Sequence, residues 1–355
     1  MEAIRWHGNR DVRHEEVQFE LALGPGMVEA EVAWCGLCGS DVAEFAHGPY
    51  AIRDRPHVLS GQAPPLTLGH EFSAYITQLG AGVEGLVVGE RVSADACWRC
   101  ETCAACRSGA YNQCASGGSI GLCSDGALAR RVRFPAYAAV PLPDAVSDRA
   151  GALLEPLAVG LHALDRGGAQ AGDTVIVLGF GAIGASVAVV GRAIGCDVIV
   201  SEPNDARRDR ASAMGFAIDD AAGESRAAAR RLRALTEGGA RVVVDATGDG
   251  TVLAGAGEMT RRGGVVVLVG IPKQPVAIDA GRLVLYERAI VASLGYANDL
   301  PRVARLIAAG ALDPEPLITR TVTLADTPAE LARLADTPTG DLKVLVQVGG
   351  AGGTI

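Results

Sequence analysis

Long apolar runs, an excess of basic residues and a secretory-type leader are all missing from this sequence, and aromatic residues make up only 4% of it. The longest apolar stretches, such as Val265–Ile271, fall far short of the roughly 20 residues that cross a bilayer, so no membrane span is expected. Lysine plus arginine number 32 against 41 acidic residues, a net charge of −9 with an isoelectric point near 5.2. That balance excludes the electrostatic footprint of a nucleic-acid or anionic-membrane binder. The opening stretch MEAIRWHGNRDVRHEE mixes both charge signs and has no apolar core, so export is not expected. Scarce aromatics leave aliphatic side chains to fill the interior. The nine cysteines are odd in number and mostly clustered, which argues for thiolate metal ligands in a reducing cytoplasm rather than a disulfide framework.

What is present is length and two textures. At about 150 residues per domain, 355 residues make two domains, each able to bury its own core. The first 150 residues read as short strands, with apolar alternation in Met27–Cys35 and Phe72–Gln78 and breaks at Gly24-Pro25-Gly26 and Ala63-Pro64-Pro65. From Gly172 onward, buried strands near Thr174–Leu178, Asp197–Ser201, Val242–Asp245 and Val265–Val269 alternate with helical text such as Arg226–Thr236, the βαβ pattern of a parallel sheet. A helix over Leu300–Ala309 and β-like text in Thr319–Leu324 and Leu342–Val348 follow. This tail is expected to pack back on the first domain, and the glycine-rich Gly349–Ile355 to be loose.

Gly179-Phe180-Gly181-Ala182-Ile183-Gly184 places a GxGxxG directly after a buried strand and at a helix start. There glycines permit the tight turn and let backbone N–H groups approach a pyrophosphate. The next strand runs into Glu202, 18 residues beyond Gly184, near the spacing expected for an acid that binds a ribose diol. A carboxylate there repels a 2′-phosphate, which favours NAD over NADP, although Arg207 and Arg208 stand just downstream.

Cys97, Cys100, Cys103 and Cys106 recur every third residue and Cys114 follows, five thiols for the four places of a closed, structural zinc site. Elsewhere stand Cys38, the pair His70-Glu71, and Glu155. A thiolate, an imidazole and a carboxylate would hold zinc with one position open, as catalytic zinc requires.

GLCGSD at 36–41, GHE at 69–71, the cysteine ladder, LEPLAV at 154–159, GFGAIG at 179–184 and SEP at 201–203 together resemble the zinc-dependent medium-chain dehydrogenase/reductase family, most closely its butanediol and sorbitol dehydrogenase-like members. The resemblance implies an α/β chain with a GroES-like β-rich catalytic domain over 1–155, completed by 295–355, and a Rossmann NAD-binding domain over 156–294. It implies two zinc ions, a structural one on Cys100, Cys103, Cys106 and Cys114 with Cys97 left over, and a catalytic one on Cys38, His70 and Glu155 with Glu71 as rival. Asp41 is implied to orient His70, and Ser40 to take the alcohol proton. Where the family often carries a histidine three residues after the serine, this chain has Ala43, leaving water, the cofactor ribose or His47 to pass the proton on. The loop 48–64, with Arg53, Arg55 and His57, is implied to border the pocket. The expected reaction is reversible oxidation of a secondary alcohol, a vicinal diol, acyloin or polyol, in a homodimer or homotetramer. A sugar, cyclitol or specialised-metabolite alcohol is the alternative substrate, and a catalytically inactive nucleotide-binding protein the alternative class.

Overall fold

Val28, Ala30 and Val32 point into one core from the Met27–Leu37 strand while Glu31 between them is exposed, the period-2 alternation of a strand with one buried face. This strand is the spine of the first unit in the computed structural model, which describes residues 1–18, 22–220, 225–236 and 238–349. One edge of the strand pairs antiparallel with Glu71–Leu79 and the other with Arg131–Pro135 and Lys343–Gln347, placing it inside a seven-stranded sheet. The register sets Gly36 opposite both Glu71 and Leu345, so the strand that opens with Glu71 and the strand Lys343–Gln347 flank the same residue. Phe72 and Phe134, stacked edge to face with centroids 5.6 Å apart, fill the core beneath.

In the second unit a six-stranded parallel sheet runs in the order Ala217–Asp219, Asp197–Ser201, Thr174–Leu178, Ala240–Asp245, Thr260–Leu268, Ala289–Ala292. Val175, Ile176 and Val177 are all buried without alternation because both faces of a parallel sheet are covered. The strand order reverses between Thr174–Leu178 and Ala240–Asp245, a topological switch point beside which ligands of doubly wound sheets bind. A Cβ on Gly160 would come within 2.8 Å of the Ser186 backbone, so helix Leu154–Gly167 lies close against helix Ala182–Ala193.

The units comprise 1–155, 318–339 and 343–355, and 156–317 with 340–342. The return to the first unit therefore falls at Ile318, not near 295. Helix Leu300–Ala308 stays in the second unit, where Leu300, Val303 and Ala304 are buried and Asp299 at its start lies 3.0 Å from His162 Nδ1. Its amphipathic period announces that the helix covers a core without saying which one. The first unit also holds a helix, Gly39–His47, inside text that reads as strand and turn. The loose tail expected over Gly349–Ile355 lies, beyond Gly349, outside the described residues. Among the described residues no helix is long and apolar enough to cross a membrane.

Candidate metal and dinucleotide sites

Cys38 caps helix Gly39–His47, its extended backbone (φ −100°, ψ 155°) turning the chain out of the central strand. Asp41, at the third helical position, reaches back so that its Oδ2 accepts from the Cys38 N–H at 2.9 Å, one half of a capping box. The cap presents Ser40 and Asp41 to His70, with Ser40 Oγ 3.2 Å from Nε2 and Asp41 Oδ1 3.6 Å from Nδ1. Gly69 makes this approach feasible. Its φ of +98° is in the region that favours glycine, and a Cβ would lie 2.8 Å from Cys35 Sγ and from the Leu128 nitrogen.

Donor atoms of Cys38, His70 and Glu71 lie within 4.8 Å of one another. Glu155, the carboxylate expected first, stands outside that group, though its charge is felt at His70. The structure thus brings the rival Glu71 to the cysteine and histidine. Glu71 is fully buried and receives Lys343 Nζ on both oxygens, 2.6 Å from Oε2. A Cβ on Gly36 would sit 2.4 Å from Glu71 Oε2, so glycine opposite leaves the space this carboxylate occupies.

Burial works to lower the His70 pKa, but the charges of Asp41 and Cys38, a hydrogen bond with Cys38 and the charge of Glu155 outweigh it and hold the imidazole well above its ordinary value. Burial likewise raises Asp41 above the usual carboxylate range, against the pull of His70 and the Cys38 N–H. Lys343 is raised despite complete burial because Glu71, Cys38 and Glu155 surround it with negative charge. Two buried polar atoms, His70 Nδ1 and Asp41 Oδ1, face each other without a hydrogen-bond partner. This excess of anionic donors, with an imidazole fixed between a hydroxyl and a carboxylate, suits a divalent cation whose histidine ligand donates its other N–H to Asp41.

Cys100, Cys103, Cys106 and Cys114 form a second group with sulfurs within 4.8 Å, Cys100 being 3.9 Å from Cys106 and 3.6 Å from Cys114. Four thiolates at about 2.3 Å from a tetrahedral zinc lie roughly 3.8 Å apart, so the cage matches that ion. Backbone N–H groups of Cys103 and Cys106 point at the sulfurs of Cys100 and Cys103, at 3.3 and 3.4 Å. Cys97 stays out of the cage on the two-residue strand paired with Gly118–Ser119, and burial, then Asp95 and Glu155, push its thiol well up.

In the second unit Gly179 has φ +87°, and a Cβ on Gly184 would come within 1.9 Å of the Gly179 carbonyl oxygen. Only glycine lets the helix starting at Ala182 and Ile183 press so closely on the strand before it. Gly181 caps that helix, whose free N–H groups form an anion site. Glu202 is buried, and its oxygens accept from the N–H groups of Phe180 at 2.5 Å and Asn204 at 2.8 Å. The Arg207 guanidinium lies 3.7 Å from where a Cβ of Gly181 would stand, and its Nε is buried without a partner. Arg208 is occupied by Asp205 and by the carbonyls of Glu202 and Pro203.

Around the first site, Ala43 is half-buried, His47 is exposed at the end of the helix, Arg53 and Arg55 are exposed, and His57 Nε2 lies 3.4 Å from the Gly117 carbonyl. Sequence reasoning missed Lys343. Its signal was there, since it is one of only two lysines and falls in an otherwise apolar strand.

Residues 24–144 match the family described as Alcohol dehydrogenase GroES-like domain, and residues 182–309 the family described as Zinc-binding dehydrogenase. The chain is 34% identical over 329 residues to the (R,R)-butanediol dehydrogenase of Bacillus subtilis (strain 168), covering 92% of this chain and 93% of the relative. The crystal structure of 2R,3R-butanediol dehydrogenase from Bacillus subtilis superposes with a TM-score of 0.91 at 32% identity, covering 98% of this chain and 99% of that one. A putative zinc-binding dehydrogenase from Sinorhizobium meliloti 1021 bound to NADP follows at a TM-score of 0.86 and 28% identity, covering 98% of each chain.

Proposed function

The chain belongs to the zinc-dependent medium-chain alcohol dehydrogenase family, and on that premise we propose that it oxidises a secondary alcohol of a vicinal diol, acyloin or polyol reversibly to the ketone, passing the hydride to NAD. The observation that carries this reading is the gathering of Cys38, His70 and Glu71 within 4.8 Å, with Ser40 Oγ against His70.

Cys38, His70 and a carboxylate would hold the catalytic zinc, which when bound would supply Lewis acidity that lowers the pKa of an alcohol hydroxyl. Glu71 is the carboxylate nearest to hand and Glu155 its alternative. Asp41 Oδ1 faces His70 Nδ1 at 3.6 Å, and its charge favours a proton on that nitrogen, leaving Nε2 to be offered to a cation. Ser40 Oγ takes the proton from the substrate hydroxyl and, with Ala43 in the next turn, hands it to water or toward His47. Lys343 holds Glu71 in place through both carboxylate oxygens. Cys100, Cys103, Cys106 and Cys114 would hold a second, structural zinc.

For the dinucleotide, the N–H groups at Ala182, Ile183 and Gly184 bind the pyrophosphate, and Glu202 accepts from the ribose diol. A 2′-phosphate would meet the buried Glu202 carboxylate, a like-charge contact costing several kcal/mol, so NAD is the cofactor of choice even with Arg207 close by. The working form is a homo-oligomer.

A panel of diols, acyloins, polyols and simple secondary alcohols, assayed with NAD and NADP by absorbance of the reduced nicotinamide, together with zinc analysis of the purified protein, tests the reading. Diol oxidation with NAD and about two zinc ions per chain are expected. No turnover of any alcohol with either cofactor, or one zinc ion retained on the cysteine cage alone, overturns it.

A further inference from the structure

The last carbonyls of a helix have no partner inside it and must find donors elsewhere. In helix Gly39–His47 three successive ones find them on the N-terminal hairpin of strands Glu2–Gly8 and Asp11–Glu16. The Glu44 carbonyl accepts from Trp6 Nε1 at 2.9 Å, the Phe45 carbonyl from the Arg10 N–H at 2.7 Å, and the Ala46 carbonyl from Asn9 Nδ2 at 2.9 Å. Arg10 is held for this task. Its φ of +55° is a costly conformation for a residue with a side chain, and its guanidinium, 5.8 Å from the centre of the Phe45 ring, is fixed by Asp336 through two hydrogen bonds at 2.6 and 3.1 Å. A Cβ on Gly48 would come within 2.9 Å of Trp6 Cζ2, so glycine there leaves room for the indole.

The same tryptophan touches the other arm of the metal-binding group. Its backbone pairs with Leu66, Arg5 pairs with Thr67, and the Leu68 N–H donates to the Ile4 carbonyl at 3.1 Å. Gly69 and His70 follow directly. Trp6, Leu66 and Leu68 are all buried. One residue therefore grips the end of the helix that begins at Cys38 with its side chain, and the approach to His70 with its main chain.

Two points fix an axis. The start of the helix is set by the sheet, where Cys35 pairs with Phe72 and Gly36 with Glu71. That pairing alone would leave the helix to pivot about its first turn. The bond from Trp6 supplies a second point at Glu44, about 9 Å further along, and so sets the direction. Direction matters because Ser40 and Asp41 reach His70 from that first turn, at 3.2 Å from Nε2 and 3.6 Å from Nδ1. Metal coordination tolerates ligand displacements of only about 0.2 Å, and the outer partner of a ligating imidazole fixes its orientation.

Resting on the reading of the previous subsection, we propose that Trp6 is a positioning residue: with Asn9 and Arg10 it fixes the direction of helix Gly39–His47 against the segment leading into His70, and so sets the metal affinity of the Cys38, His70 and Glu71 group and the reach of Ser40. The cage at Cys100–Cys114 receives none of these bonds. Its affinity is independent of Trp6.

The test challenges the full-length protein, loaded with cobalt(II), with a chelator. Cobalt tells the two sites apart, since four thiolates give the cage intense charge-transfer absorption and the first site has one. Trp6→Phe keeps a ring in the core and removes only the N–H donor. The first site is then expected to lose metal at about tenfold lower chelator concentration, its d–d bands shifted, with the cage bands unmoved. In the zinc-loaded variant kcat is expected to fall about tenfold. Asn9→Ala, at an exposed side chain, shifts the first site the same way by about threefold and decides the matter if Trp6→Phe fails to fold. Val12→Ala is the control: Val12 pairs with Trp6 across the hairpin, so its truncation weakens the hairpin without touching the helix carbonyls. A first site unchanged in Trp6→Phe and Asn9→Ala, or shifted as far by Val12→Ala, overturns the inference. A wild type that binds both metal ions and turns over no alcohol fails the dehydrogenase reading alone, because the metal affinities still report on Trp6. A wild type that keeps metal on the cage only overturns both.

Discussion

Lys343 Nζ lies 2.6 Å from Glu71 Oε2 with both side chains buried, an ion pair that joins residues 272 positions apart in the chain. Removing one partner of a buried pair strands the other, at a cost of about 3–5 kcal/mol, whereas removing both is nearly neutral. Lys343→Met is therefore expected to destabilise the protein by that order in urea unfolding, and the Lys343→Met, Glu71→Gln double variant to recover most of the loss. A single variant within about 0.5 kcal/mol of wild type would count against the pair.

Ser40 Oγ, against His70 Nε2 and outside the donor group, is expected to affect turnover and not metal content. Ser40→Ala should lower kcat by at least about tenfold, from general acid–base contributions of 10² to 10⁴. Zinc per chain should stay at the wild-type value. Unchanged turnover removes Ser40 from the proton path, and loss of zinc makes it a structural group.

Glu202 is expected to set the cofactor ratio. Glu202→Gln keeps an acceptor for the N–H groups of Phe180 and Asn204 and removes the charge that repels a 2′-phosphate, leaving Arg207 to attract it. The NADP to NAD ratio of kcat/KM is expected to rise at least about tenfold. Measured steady-state constants with both cofactors check it, and a ratio that stays level assigns the preference elsewhere.

The cysteine cage predicts a pH dependence of zinc affinity. Hydrogen bonds from the Thr102 hydroxyl and from the backbone N–H groups of Thr102 and Cys103 draw Cys100 down to about 6, while desolvation and bonds shared with Cys103 and Cys114 push Cys106 up to about 12. Without metal at neutral pH, Cys100 is a thiolate and Cys106 a thiol, so zinc must displace at least the Cys106 proton and affinity falls as pH falls. Below about 6 the Cys100 proton must go too, and the fall steepens. Because the folded value of Cys100 lies below its ordinary 9.0, its contribution to the stability of the metal-free fold is complete above that pH and gone below about 6. Competition with a chromophoric chelator between pH 5 and 8 reads the slope, and a flat profile contradicts the assignment.

The cysteine cage and the glycine turn were legible from sequence because each is local. Cys100, Cys103 and Cys106 need only one tight loop to converge, and Gly179–Gly184 sits between a strand and a helix whose periods are plain. The choice between Glu71 and Glu155 was not legible, since it depends on which strand flanks Gly36. The partner of Lys343 was illegible for the same reason: the pairing of Lys343–Gln347 with Met27–Leu37 decides that its ammonium meets Glu71, 272 residues away. The boundary near 295 slipped to Ile318 because Leu300–Ala308 advertises an apolar face to either unit.

The position of Lys343–Gln347 beside Met27–Leu37 has a consequence for biogenesis. On a ribosome the second unit, almost one continuous segment from Pro156 to Leu317, emerges whole and can fold while the first still lacks its last strands. The counter-charge for Glu71 is translated 272 residues after it, so a nascent chain carries Cys38, His70 and an uncompensated acid until Lys343 is made. The Cys38, His70 and Glu71 group therefore takes its mature form only once Lys343 has paired, whereas the four cysteines at Cys100–Cys114 need only their own loop to converge.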